Sequence, residues 1–288
     1  MCLIGGTKVL TSNGYKDIQL LTVSDVLQSN ENNTIHIDQT HNETYTGNIS
    51  SILPVSTNIP LRATPDHPFL TKTMISTGFG EKDFILSEKT SWTPAGSLKS
   101  RKHLLCIPIE EKQEPAPIYI QVGNQKRESI DIDWFMVGFY FGKGKRTLDV
   151  QFIPPGWSVL KEFTLNHRTA TCNHIPEWIQ RLPIQDINEF IRGFKTSTKR
   201  IGGGYEVVNE EVALNLQRLY AKIHRFVRIH ISDISVCLIE INDNRVSFDR
   251  QYMYIPIDRV SDKKKTTSTY HINIEHKACV IDNIVSKY

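Results

Sequence analysis

At 288 residues the chain has room for about two domains, and 39% hydrophobic with 23% charged residues is ordinary globular composition. No apolar run approaches a membrane span and no charged-then-apolar leader opens the sequence, which argues against a membrane protein and for an intracellular setting, cytoplasmic or nuclear. A net charge of +3 is too small to argue for nucleic acid by itself, and five cysteines, odd in number and widely spaced, argue against a disulfide framework or a zinc site.

The chain opens with Cys2-Leu3-Ile4-Gly5-Gly6, followed by a short apolar strand and then Asn13-Gly14. Asn-Gly between apolar runs signals a tight hairpin, with Tyr15 to Leu21 as the returning strand, because both central residues of such a turn need positive φ. Cys2 is therefore expected on the first strand of a hairpin, a placement that suits a nucleophile acting on its own upstream peptide bond. Taken alone, it reads more readily as a small buried hydrophobe or a bystander than as a nucleophile.

Leu21 to Leu27 reads as a further strand, Gln28 to Thr34 as a polar loop, and the stretch to Ile52 as alternating strands, together an all-β module. In Leu61-Arg62-Ala63-Thr64-Pro65-Asp66-His67-Pro68-Phe69-Leu70, prolines bracket Asp66 and His67 and forbid a helix. A rigid extended turn here can fix a hydroxyl and an imidazole at one place. The imidazole, with an ordinary pKa of about 6.5, can protonate a departing amide nitrogen, and Thr64 can hold that nitrogen or an oxyanion. Ser91 to Lys99 and Lys102 to Pro108 then read as strand, turn and strand.

Cys2, Gly6-Thr7, Val9-Leu10, Gly14, Ile18, Asp25-Val26-Leu27, then Thr64-x-x-His67, then Pro94-Ala95-x-x-Leu98 and an apolar strand resemble, in order and spacing, the amino-terminal half of an intein. That is the hedgehog/intein (Hint) self-processing fold. The resemblance implies a single-turnover cis catalyst. Cys2 attacks the carbonyl of the residue before it (Met1, a stub of upstream sequence) in an N-to-S acyl shift. His67 protonates the leaving amine and Thr64 orients the scissile bond.

Glu110 to Asn124 reads as a charged, proline-bearing linker, after which the pattern turns helical. Asp131 to Gly144 is an apolar helix in which Gly138 implies close approach of another helix. Asp186 to Thr196 is its partner, Tyr205 to Asn209 a strand, and Glu210 to Arg225 an amphipathic helix. Gly138, Gly193, the Ile175-Pro176-Glu177 lead-in and the last helix resemble a LAGLIDADG homing endonuclease inserted in the intein. That family needs a carboxylate at the end of each motif helix to hold divalent cations, and here those positions carry Lys143 and Thr198. An ammonium repels the metal, so the insertion is expected to be inactive as a nuclease. Lys143, Lys145, Arg146, Lys199, Arg200, Lys222, Arg225 and Arg228 supply a basic face for weak DNA binding, or simply a solvated surface.

From Gln251 the β character returns, with Asp262 to Lys265 read as a solvated hairpin end. Tyr270 to Tyr288 resembles the two carboxy-terminal intein strands. Glu275-His276 stands at the acid-His position, which implies that His276 assists carboxy-terminal cleavage. Inteins end in His-Asn, whose asparagine cyclises. This sequence has Lys287-Tyr288, which leaves open whether an asparagine follows or has been replaced.

The expected architecture is thus two-domain: an all-β, horseshoe-like Hint splicing domain (1–112 and 249–288) interrupted by an α+β LAGLIDADG-like insertion (113–248). The expected activity is autocatalytic protein splicing by a monomer, with the flanking host segments (exteins) as partners in cis and no metal or organic cofactor. Two other readings stand beside it: a sequence-specific DNA-binding protein or homing endonuclease, and a hedgehog-type autoprocessing domain that passes its thioester to a small nucleophile.

Overall fold

The computed structural model describes residues 2–29, 33–77, 84–109, 119–122, 125–128, 133–142, 175, 177–274 and 278–287. Among these the chain is mostly β-sheet with few helices. It divides into two compact units, Met1–Glu110 with Ile241–Tyr288, and Glu111–Glu240.

The first unit begins with β1 (Leu3–Ile4), β2 (Lys8–Thr11), β3 (Gly14–Asp17), β4 (Val26–Gln28), β5 (Thr34–His36) and β6 (Gln39–Pro54). It continues through β7 (Leu61–Ala63), β8 (Pro68–Ser76), β9 (Phe84–Leu86), β10 (Ser91–Pro94) and β11 (His103–Pro108). The second unit contributes β12 (Tyr119–Val122), β13 (Gln125–Glu128), β14 (Arg200–Ile201), β15 (Gly204–Val207), β16 (Val227–Ile231) and β17 (Val236–Glu240). The chain then returns to the first with β18 (Ser247–Phe248), β19 (Tyr252–Asn273), β20 (Ala278–Ile281) and β21 (Ile284–Lys287).

In the first unit the strands run β1-β7-β6-β19-β11-β8-β21-β20-β2-β4-β5, with β3 on β2, β9 and β10 on β8, and β18 on β19. Early and late strands are interleaved. β19 lies between β6 and β11, and β20 and β21 fill the gap between β2 and β8, with Val9 opposite Ile281 and Phe69 opposite Ser286. The alternating inward residues close a core in which Leu70, Leu104, Cys106, Tyr252, Tyr254 and Val285 pack together. Each such large side chain stabilises by about 2 kcal/mol on removal from water.

Several local expectations change. Asn13-Gly14 is not the hairpin centre: Thr11 pairs with Gly14, so Ser12 and Asn13 form the loop, and positive φ falls on Gly14 alone. In the first unit two consecutive left-handed residues stand instead at Asp282-Asn283, at φ 43° and 64°, joining β20 to β21. It is locked to the amino-terminal hairpin. The Asp282 N–H donates to the Lys8 carbonyl at 2.8 Å, the Lys8 N–H to Asp282 Oδ1 at 3.1 Å, and the Tyr15 hydroxyl to Asn283 Oδ1. Strand β3 ends at Asp17 in a 3-10 turn over Ile18–Leu20. Of the strand expected at Leu21 to Leu27 only Val26 and Leu27 belong to a strand, because the Thr22 N–H donates to Asp25 Oδ2 at 2.7 Å and turns the chain.

Asp262 to Lys265 is no hairpin end. These residues pair with Ser50 to Gly47 in the middle of the β6–β19 ladder. On β19 these four residues are exposed on both sides of the strand, although Ile49 and Ser50 opposite them are buried, so the strand shows no hydrophobic alternation while the backbone ladder continues.

In the second unit part of the expected linker is a hairpin, β12 against β13. Helix α1 (Trp134–Gly142) crosses α3 (Ile184–Ser197), with the short α2 (Glu177–Gln180) before it. A Cβ on Gly138 would lie 1.8 Å from the Phe190 carbonyl oxygen, and one on Gly193 would lie 1.8 Å from that of Phe135. Backbones this close exclude any side chain at the crossing. Helix α4 (Glu210–Lys222) begins at Asn209, whose Oδ1 accepts from the Val212 N–H at 2.8 Å, and covers the sheet β14-β15-β17-β16.

Candidate active site

Cys2 does not sit on a hairpin strand. It lies immediately before β1, which pairs with β7 at Leu3 and Ala63 and with β19 at Leu3 and Tyr270. Continuing that register puts Cys2 beside Thr64. The Cys2 N–H donates to Thr64 Oγ1 at 3.0 Å, and the Thr64 N–H donates to the Cys2 carbonyl at 3.0 Å. Both residues are buried. The hydroxyl of Thr64 thus accepts from the nitrogen that an acyl shift at Cys2 would release. Burial alone would raise Asp66, but hydrogen bonds, that from the Thr64 side chain first, hold its carboxyl below the usual range.

Thr64 to His67 is a closed turn, with the His67 N–H donating to the Thr64 carbonyl at 3.0 Å. The turn is clamped by the 3-10 segment Ala95–Ser97. The Ala95 N–H donates to the His67 carbonyl, and the Gly96 N–H to the Pro65 carbonyl, both at 2.8 Å. Gly96 is required by this approach, since its Cβ would meet Pro65 Cβ at 2.9 Å. That explains physically why the Thr64-Pro65-Asp66-His67 and Pro94-Ala95-Gly96 stretches occur in one sequence.

The imidazole of His67 is fully enclosed. Its Nε2 lies 2.6 Å from the hydroxyl of Ser286 on β21, and its ring meets Phe69 edge-on at 5.2 Å between centroids. Burial pulls its pKa down to about 3, so the ring is neutral at physiological pH.

Two contacts at this site had no sequence signal. The Cys2 thiol donates to Glu43 Oε1 at 3.8 Å, from the stretch of β6 where Glu43 faces Thr269 of β19. Ser286 lies 219 residues from His67 and reaches it only through the β21–β8 pairing. Of the residues expected to act, Cys2, Thr64 and His67 are joined through the Thr64 turn. His276 and Lys143 lie outside the described residues, as do Lys145, Arg146, Met1 and Tyr288. Thr198 is the cap that follows α3, and its hydroxyl donates to the Glu206 carbonyl.

The remaining described thiols are buried in the sheets. Burial pushes Cys279 up to about 12 and Cys106 well above the ordinary thiol range. Among the described residues no three histidine, cysteine or carboxylate side chains gather as a metal site, and no helix is long and apolar enough to cross a membrane.

No family model matches the sequence, and no curated protein matches it. Among solved structures the chain is similar to a GSH-linked, splice-inactive variant of the AceL NrdHF class 3 split intein. The identity is 14% and the TM-score 0.26, over 44% of this chain and 69% of that one. A likeness of that size does not establish the fold.

Proposed function

We propose that the chain is an intein: a Hint-type element, Met1–Glu110 with Ile241–Tyr288, that cuts and rejoins the polypeptide flanking it. The observation that carries this reading is the reciprocal pairing of Cys2 with Thr64, next to the Thr64–His67 turn. It unites a nucleophile, a hydroxyl on the scissile nitrogen and a buried imidazole.

In the first step the thiol proton leaves toward Glu43 Oε1, and the sulfur adds to the carbonyl carbon of the residue before Cys2. As the C–N bond breaks, His67 serves as the general acid that delivers a proton to the Cys2 nitrogen, and the proton released from sulfur restores the neutral ring. A thioester and a free amine remain, with one proton moved from sulfur to nitrogen. Thr64 holds the nitrogen in place throughout. A downstream Cys, Ser or Thr then accepts the acyl chain, and His276 assists release at the carboxy-terminal junction.

The unit Glu111–Glu240 is read as a decayed LAGLIDADG endonuclease insertion. The glycine crossing of α1 and α3 supports this ancestry. Lys143 and Thr198, standing where carboxylates would hold magnesium, support the loss of cleavage. Incubation with magnesium and double-stranded DNA should give no specific cut.

The test of the whole reading is a fusion that places a foreign peptide before Cys2. Dithiothreitol should release that peptide from the wild-type fusion and not from Cys2→Ala, while Thr64→Ala should slow release by about 10- to 100-fold. Release that persists in Cys2→Ala would overturn the proposal.

A further inference from the structure

We propose that Ser286 is a positioning residue for His67: its hydroxyl fixes the ring in the tautomer with the proton on Nε2 and assigns proton transfer to Nδ1. The inference rests on the splicing reading above and deepens it.

Three observations carry it. First, Ser286 Oγ contacts both His67 Nε2, at 2.6 Å, and the Pro68 carbonyl oxygen, at 3.3 Å. A carbonyl can only accept and a hydroxyl has one proton to give. The proposed arrangement gives that proton to Pro68, in which case the hydroxyl accepts from the ring and Nε2 carries the hydrogen. Second, neither Ser286 nor His67 is accessible, so water cannot substitute for the hydroxyl. Third, the serine is held by the ladder rather than by a flexible side chain, since Ser286 stands opposite Phe69, two residues from His67.

The remaining freedom of the ring is small. The His67 N–H is tied to Thr64, its carbonyl takes the Ala95 N–H, and Phe69 closes one edge. What these contacts leave open is which nitrogen bears the proton, and Ser286 decides that. The choice matters most when the ring is briefly cationic, because an enclosed imidazolium needs a partner for each N–H. Ser286, with its dipole oriented by Pro68, supplies one at Nε2. Burial keeps the resting ring neutral, which makes a defined tautomer the relevant state. The group involved comes from β21, so the step at Cys2 depends on a residue 219 positions beyond His67.

The test uses the full chain with a foreign peptide before Cys2, in wild-type, Ser286→Ala and Ser286→Thr forms. Imidazole nitrogen NMR is recorded on the same three forms in a Cys2→Ala background. The expected spectrum has a protonated Nε2 and an unprotonated Nδ1 for His67. It should become a tautomer mixture in Ser286→Ala and be restored in Ser286→Thr. Thiol-induced release should fall about 10- to 100-fold in Ser286→Ala, the range expected when a reacting group loses its orientation, and recover in Ser286→Thr.

A wild-type spectrum with the proton on Nδ1, or release from Ser286→Ala at the wild-type rate, would overturn the inference. If Ser286→Ala fails to fold, the wild-type spectrum and Ser286→Thr decide it. If the wild-type fusion releases nothing, the splicing reading fails, while the nitrogen spectrum still judges the pairing of Ser286 with His67.

Discussion

A histidine enclosed in its neutral form makes folding sensitive to acid in a way that can be worked out beforehand. His67 takes up a proton in the folded chain only near pH 3, but an exposed histidine does so near 6.5. Above pH 6.5 both states are neutral and the group contributes nothing to the pH dependence. Below it the unfolded chain gains a proton that the folded chain refuses, so stability falls as the pH is lowered, until the folded ring also titrates near 3. The slope is about 1.4 kcal/mol per pH unit, giving about 2 kcal/mol between pH 6.5 and 5.

The assay is urea unfolding at pH 7.5 and 5 in a Cys2→Ala background. Unfolding is followed by exposure of Cys106 and Cys279, which belong to the same unit and are inaccessible when folded. A disulfide reagent that remains reactive in acid labels them, and mass spectrometry identifies the sites. His67→Gln should lose about 2 kcal/mol less than the parent over this interval. The difference between the two proteins isolates this ring from His103, whose pKa burial also lowers. Equal losses in parent and variant would refute the claim that His67 is buried and neutral.

Three other outcomes are expected. Gly138→Ala places a methyl inside the Phe190 carbonyl and should lower the stability of the second unit by about 3 kcal/mol despite a gain in helix propensity, as measured by its thermal midpoint. Gly96→Ala pushes on Pro65 and should slow thiol-induced release from the peptide fusion while leaving the melting of the second unit unchanged. Cys106 and Cys279, enclosed and with raised pKa, should resist iodoacetamide at pH 8 in the native protein and be alkylated after urea, by peptide mass mapping.

Much of the site was legible because it is local. Thr64, Pro65, Asp66 and His67 make a turn that two prolines impose, and the Pro94-Ala95-Gly96 stretch that clamps it announces itself through residues of restricted or unusual conformation. The contacts with Glu43 and Ser286 were not legible, since each depends on the register of strands far apart in sequence, and nothing in a lone Glu or Ser encodes a register.

The misreadings have a common cause. Asp262 to Lys265 reads as a solvated hairpin end because side-chain alternation vanishes where β19 is exposed on both sides, although its hydrogen bonds persist. Asn13-Gly14 read as a two-residue turn because composition shows which residues tolerate positive φ and not which position adopts it. Asp282 and Asn283 adopt it with less favourable side chains because Lys8 and Tyr15 hold them there.

The interleaving of early and late strands also acts on the ribosome. Translation delivers Cys2 first, but the strand carrying Ser286 follows His67 by 219 residues. At about 5–20 residues per second that lag is on the order of ten to forty seconds. Throughout it the nascent sheet lacks the ribbon between β2 and β8, and the imidazole stands without its serine. On the splicing reading proposed above, the order of synthesis is a clock: the pairing of His67 with Ser286 cannot form until β21 has been made.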